Sequence, residues 1–345
     1  MMAKPKVFID EYLLNWADKL FYPPVRKIKK IAVRPLPWAT ILLPNKPGEI
    51  RAQIARTTRK SSEVMVKITS QKRTGKGMVA IRNHLDYISR HGKVQLEDHE
   101  GRTLTSRADL KDLTADWSHD TPEVSQRREA INIMFSMKKG TPSKEVKEAV
   151  REYLTEAFGG KHEYLFALHT DTEHPHVHVM VKVAPIRKKD KRLNPRKQDL
   201  QRWREGFAEN LRKLGIDANA TPRKTRGVIQ QPLHQYQIHQ LAREARVSRH
   251  VMPLKPPTLA LSEDHSLLSQ ETQAWAHIAR ALASSPARSD RTLAKEVIAF
   301  MSSQPIRLKD ALNFNVRVRH TPQNHDVPQR HDKPHDDMPV LPRKK

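Results

Sequence analysis

With no cysteine and 18 histidines, this 345-residue chain can hold a metal only through imidazole and carboxylate groups. Its sharpest cluster is Leu165-Phe166-Ala167-Leu168-His169-Thr170-Asp171-Thr172-Glu173-His174-Pro175-His176-Val177-His178-Val179-Met180-Val181-Lys182. Side chains alternate faces along a strand, so His176 and His178 point one way and Val177 and Val179 the other. A polar turn from Thr170 to Pro175 folds two apolar runs into a hairpin and brings His169 beside them. Three neutral imidazoles on one sheet face make a facial metal site with open positions, an arrangement that suits catalysis more than structure. Asp171 is near enough in sequence to orient one imidazole, whereas His174, beside Pro175, reads as a turn residue. The residues leave open whether His169 is a ligand or a base. Ligand softness alone admits manganese, zinc, nickel or cobalt. The expected cofactor is a divalent ion, magnesium or manganese. Lys+Arg 63 against Asp+Glu 38 gives a net charge of +25, so the group expected at the open positions is a phosphate oxygen of nucleic acid.

If a phosphodiester is attacked, the nucleophile is water, serine or tyrosine. Six tyrosines are present. Tyr12 and Tyr22 sit near the N-terminus, Tyr153 on a helix face and Tyr164 at a strand start. Tyr236 follows the dense central region. Tyr87 lies in Asn83-His84-Leu85-Asp86-Tyr87-Ile88-Ser89-Arg90-His91-Gly92-Lys93, near a helix end and among polar and basic residues. Taken alone, these residues equally allow Tyr87 to be a half-buried core side chain.

The elements that must position these groups are legible as periodicity. Residues 64–68 read as a strand, and Gly77 to Ser89 as a helix with Met78, Ile81, Leu85 and Ile88 at helical spacing. Arg107 to Trp117 reads as a second helix and Ala130 to Ser136 as a strong strand. Pro142 and Glu145 open a helix to Phe158, which Gly159-Gly160 stops. Tyr164 to His169 and Val177 to Val183 are the hairpin strands, and Leu200 to Leu214 is an amphipathic helix. This order predicts an α+β fold, an antiparallel sheet backed by helices on one face.

Three regions are expected: a basic arm with one helix near Ile9–Leu20 over residues 1–61, a central domain over 62–240, and a C-terminal region over 241–345. The last is expected to be helical near Leu267–Leu282 and Arg291–Met301 and disordered from Thr321 to Lys345, where apolar residues are sparse. No stretch approaches the ~20 apolar residues that span a bilayer. Absence of cysteine fits a reducing cytoplasm. Lys182, Arg187, Lys188, Arg223 and Arg226 are expected phosphate contacts, with a steep salt dependence of binding.

Leu85 to Lys93, Asn132 to Thr141, residues 169–178, and Thr221-Pro222-Arg223 with Arg226-Gly227 and Pro232 together resemble the four motif regions of the MobP-class mobilisation relaxases, the T-DNA border endonucleases among them. The resemblance covers about residues 62–235. It departs from the border endonucleases in the first 60 or so residues and in the C-terminal third. It implies a histidine-hydrophobe-histidine endonuclease fold with a central antiparallel sheet of about five strands. It also implies Tyr87 as the nucleophile, with His169, His176 and His178 at the metal and Asp171 beside His169. Ser136 and Thr141 become candidate DNA contacts, although strand-end and helix-cap roles explain them equally well. The implied activity is nicking of single-stranded DNA at a plasmid origin of transfer through a 5′-phosphotyrosine. Implied partners are accessory relaxosome proteins, a type IV coupling ATPase and its secretion channel, with export to a recipient cell. Three other readings remain: a replication initiator or single-strand transposase using Tyr236, a DNA-binding protein with a structural metal, and a water-using hydrolase.

Overall fold

A computed structural model describes residues 6–21, 47–69, 77–227 and 265–304. Its centre is a six-stranded sheet of β2 (Met65–Ile68), β5 (Ala130–Ser136), β7 (His176–Pro185), β6 (His162–His169), β3 (Leu96–Asp98) and β4 (Thr103–Leu104), in that spatial order. All of its pairings are antiparallel. Two further short strands, β1 (Ser62–Glu63) and β8 (Ala218–Asn219), pair in parallel beside it.

Alternation sorts the central strands into two faces. Ile131, Ile133 and Phe135 of β5 and Val177, Val179 and Val181 of β7 lie in one core, packed under α5 (Ser143–Phe158) and α6 (Lys197–Lys213). Each such fully buried side chain contributes roughly 1.5–3 kcal/mol. The opposite face also carries helices. Leu165, Ala167 and Met180 are covered by Met78, Ile81, Leu85 and Ile88 of α3 (Met78–Ile88) and by Leu113 and Trp117 of α4 (Arg107–Ser118). The expected one-sided backing is therefore corrected to helices on both faces. The reason lies in the polar sequence of α3 and α4, whose narrow apolar stripes cover only part of the second face and leave its histidine end open.

The helix expected near Ile9–Leu20 forms as α1 (Lys6–Phe21), and an unexpected α2 (Pro47–Thr58) follows. The two expected C-terminal helices form as α7 (His265–Ala283) and α8 (Arg288–Ser302). Rather than hanging apart, Ile9, Leu13 and Phe21 share a core with Ile50, Ile54, Trp275, Ile278, Leu282, Val297 and Phe300. Segments more than 200 residues apart thus make one helical cluster. Tyr236, Pro232 and the tail from Thr321 fall outside the described residues.

Candidate metal centre and nucleic-acid cleft

The β6–β7 hairpin sets the histidines. His169 pairs across from His176, and Ala167 from His178. One nitrogen from each of His169, His176 and His178 lies within 4.8 Å of the others, and all three residues are buried. The predicted face alternation is what the strand displays.

Hydrogen bonds assign the nitrogens. His169 Nε2 donates to the Ile88 carbonyl at the end of α3, at 2.7 Å. His176 Nδ1 donates to the His174 carbonyl, at 3.0 Å. His169 Nδ1 and His178 Nδ1 are buried with no protein partner. Buried nitrogens left bare in this way fit a metal ligand set, since an unsatisfied polar atom otherwise costs about 1–3 kcal/mol. Burial holds the His169 imidazolium below its usual range, and burial together with the charges of His169 and His176 pulls His178 down to about 3. Both rings therefore stay neutral, the form that binds metal.

Helix α3 has a second stripe. Ala80, His84 and Tyr87 face the histidines while Met78, Ile81, Leu85 and Ile88 face the core. Tyr87 is 49% exposed, whereas Tyr153 and Tyr164 are 6% and 4% exposed. The Tyr87 ring meets His178 edge-on at 5.7 Å and lies over His84 at 5.8 Å. Burial beside His169 lowers His84 to about 4. Past the helix end, Arg90, His91 and Gly92 take φ of 51°, 60° and 84°. Such left-handed backbone is unfavourable for arginine and histidine. Here it places the Arg90 guanidinium 5.1 Å from the centre of the Tyr87 ring and in an ion pair with Asp171.

A cleft of about 1260 Å³ opens along this face of the sheet. Its floor is Asn132, Met134 and Ser136 of β5 with His176, His178 and Met180 of β7, and its cations are Lys67, Arg90 and Arg128. Sequence reasoning singled out none of Lys67, His84, Arg90 and Arg128. The spacing of His84 three residues before Tyr87 was the available signal for one of them, since residues three apart share a helix face.

Other expected site residues are placed differently. Asp171 bonds to Arg90 rather than to an imidazole, and the Ile88 carbonyl occupies the orienting position. Lys182 is corrected from a surface phosphate contact. It is 3% exposed, paired with Asp120 at 2.8 Å and Glu163 at 3.4 Å, and lies over the Trp117 ring. Arg187 and Lys188 are exposed but follow the far end of β7, roughly 30 Å from His176 at ~3.3 Å per residue. Proximity in sequence misled there because a ten-residue strand separates the two ends. Ser136 lines the cleft and donates to the Pro175 carbonyl at 3.3 Å, and Thr141 donates to the Lys138 carbonyl at 2.9 Å within a turn. Arg223 is exposed, and Arg226 bonds Glu63 and the Thr221 carbonyl. His174 reaches the Met137 carbonyl, in keeping with a turn role.

An antiparallel sheet that brings three histidines to a tyrosine-bearing helix defines the arrangement of a relaxase nuclease domain, and comparison with known proteins gives the same result. Residues 87–216 match the family "Relaxase: MobA/VirD2-like, nuclease domain". That segment contains Tyr87 and all three histidines, and it is a relaxase nuclease domain resembling the T-DNA border endonucleases. T-DNA border endonuclease VirD2 of Rhizobium rhizogenes is 30% identical over 194 residues, covering 50% of this chain and 44% of the relative. Its counterpart from Rhizobium radiobacter is 30% identical over 178 residues, covering 46% and 42%. The chain thus spans less than half the length of these curated relatives. A solved structure, conjugative relaxase TrwC in complex with mutant OriT DNA, aligns with 70% of this chain and 99% of its own at 13% identity, with a TM-score of 0.32. That likeness is too loose to bear on the fold. Among the described residues, no helix is long and apolar enough to cross a membrane.

Proposed function

We propose that this protein nicks one strand of plasmid DNA at an origin of transfer, with Tyr87 as nucleophile. The observation that carries the reading is the contact of an exposed tyrosine with the three-histidine cluster, at the mouth of a cleft large enough for a single strand. Every other tyrosine among the described residues lies outside the cleft lining.

His169, His176 and His178 would hold a divalent ion, magnesium or manganese, which when bound would draw charge from a phosphate oxygen. The chain's own residues do the rest. The phenol of Tyr87 loses its proton, for which His84 is the neutral imidazole alongside and outside the metal set. The Tyr87 oxygen forms a bond to phosphorus, the bond to the 3′ oxygen breaks, and that oxygen leaves as a hydroxyl after taking a proton. One phosphodiester replaces another, so the 5′-phosphotyrosine can be resealed by the same route. Arg90, over the Tyr87 ring and tied to Asp171, adds positive charge where the phosphate must sit. Asp171 acts through Arg90 in this scheme. Ser136 shapes the cleft floor, and Arg223 and Arg226 contact the strand outside it.

The nicking unit is residues 62–240. Accessory DNA-binding proteins, a type IV coupling ATPase and a secretion channel complete the pathway, with the protein made in the bacterial cytoplasm and exported on the DNA it has cut.

A denaturing gel of wild type and Tyr87→Phe with labelled single-stranded origin DNA and manganese tests this. The expected outcome is a boiling-resistant protein–DNA band in wild type that disappears with chelator and in Tyr87→Phe, a loss of at least about 1000-fold. A band persisting in the mutant would move the nucleophile to Tyr236. Cleavage without attached protein would make water the nucleophile.

A further inference from the structure

We propose that Arg204 and Arg223 form a second phosphate-binding site, outside the β2 edge, which takes the backbone of single-stranded DNA where it leaves the cleft. The inference rests on the reading of the cleft as a DNA site. It assigns one exit from that cleft and a residue, Arg204, that the motif resemblance does not include.

Strand β2 is the outermost strand on its side of the sheet. Its Met65, Lys67 and Ile68, with Thr69 following, form one lip of the cleft. Across that lip, α6 sends the Arg204 guanidinium to the Val66 carbonyl at 3.3 Å. The turn after β8 brings Arg223 close enough for its charge to oppose that of Arg204. Arg226, on the same turn, is already compensated by Glu63 at 3.4 Å and by the Thr221 carbonyl at 3.3 Å. Arg204 and Arg223 have no carboxylate partner among the described residues, in a protein whose neighbouring arginines, Arg59 and Arg226, do. Burial first and the charge of Arg223 second disfavour the charged form of Arg204. Two uncompensated guanidinium groups, one partly buried, repel each other until an anion lies between them. The oxygens of a phosphodiester do that with the fork geometry that arginine favours.

Position and rigidity agree with this role. Val66 pairs with Phe135, and Phe135 with Val177. Two strand spacings, roughly 10 Å, therefore separate Arg204's anchor from the histidine strand. A neighbouring phosphate of the strand held at the metal centre reaches that far. The turn that bears Arg223 is not a loose loop. Thr225 Oγ1 donates to the Leu20 carbonyl at 2.5 Å, Trp275 Nε1 donates to the Thr225 carbonyl at 2.9 Å, and the Thr221 amide donates to Glu63 at 2.9 Å. The terminal helices thus hold the turn in place, unlike the exposed stretch at Arg187 and Lys188.

Fluorescence anisotropy with a long and a very short labelled oligothymidylate, over a salt series, tests the site without any cleavage. Full-length wild type is compared with Arg223→Gln, Arg204→Gln, the double variant, and Arg187→Gln as a distant control. Thermal melting establishes that each is folded; Arg223 is exposed, so its variant keeps the test valid even if Arg204→Gln does not fold. The expected result is a loss of about 3- to 10-fold for the long oligonucleotide with Arg223→Gln. In the double variant the dependence of log K on log salt should flatten by about 1.4, at ~0.7 per phosphate contact. The short oligonucleotide and Arg187→Gln should behave as wild type does. Unchanged affinity and slope for the long oligonucleotide in folded Arg223→Gln would overturn the proposal. So would an equal loss for both lengths, which would put the arginine inside the cleft. Wild-type binding of the short oligonucleotide reports on the cleft alone, so failure of the DNA reading shows separately from failure of the exit site.

Discussion

At the scale of single residues, the centre depends on imidazoles that refuse protons. Unfolded histidines protonate near 6.5, whereas folded His84 and His178 hold out to about 4 and about 3 because burial penalises their charged forms. Between those values the unfolded chain binds more protons than the folded one. Stability is then complete above pH 6.5 and falls as the pH drops toward 4. At pH 5 each residue should lose up to about 2 kcal/mol, from roughly 1.5 units at 1.36 kcal/mol each. Thermal melts of metal-free protein at pH 7 and pH 5 should show this, and His84→Asn should flatten the difference. Parallel curves for wild type and His84→Asn would remove His84 from the account. The histidine trio itself was legible, because a period of two along a strand dictates which side chains converge. Tyr87 was legible only through the motif around it, and Arg90 not at all, since its reach over Tyr87 depends on a left-handed backbone that nothing short of the folded turn reveals.

At the scale of elements, the strongly periodic segments came through with their boundaries nearly intact, as with Ala130–Ser136 and Ser143–Phe158. The missed ones explain themselves physically. Strand β3 reads Leu96-Glu97-Asp98, too acidic to resemble a buried strand. It is buried because Glu97 is met by Arg151 and by Lys147 at 3.2 Å, and Asp98 by Arg102 at 2.7 Å. Helix α2 hides in a Pro-punctuated basic stretch and forms because Ile50 and Ile54 find the terminal core. The packing of α6 on α5 supplies a sharper test. Gly206 sits mid-helix, where alanine is ordinarily favoured by about 1 kcal/mol. A Cβ there would run into the ring of buried Tyr153. Overpacking of this kind costs typically 1–3 kcal/mol. Gly206→Ala is therefore expected to destabilise the protein by roughly 1–2 kcal/mol net in urea unfolding, and a stabilised variant would show that the two helices have room to move apart.

For the whole molecule, the terminal helices and the nuclease sheet meet in a shared polar joint. Thr57 of α2 and Thr221 join hydroxyls at 2.9 Å, and Asn219 donates to both of them and to Glu63. A buried network of this kind is sensitive to any displacement of its parts. Trp275, fully buried between Phe21 and Phe300 and bonded through Nε1 to the Thr225 carbonyl, connects the helical core to the same segment that carries Arg223. Its truncation removes a large side chain and leaves that carbonyl without its donor. Trp275→Ala should cost about 3–5 kcal/mol, as other core tryptophan truncations do. If the helical cluster and the sheet behave as one cooperative unit, urea unfolding followed by far-ultraviolet circular dichroism and by Tyr87 reactivity should shift together to lower denaturant. Were the terminal regions an independent arm, as their distance along the chain implies, the helical signal would melt early. Cleft reactivity would then keep its wild-type midpoint, and the two ends of the chain would have to be assigned a role separate from shaping the DNA path.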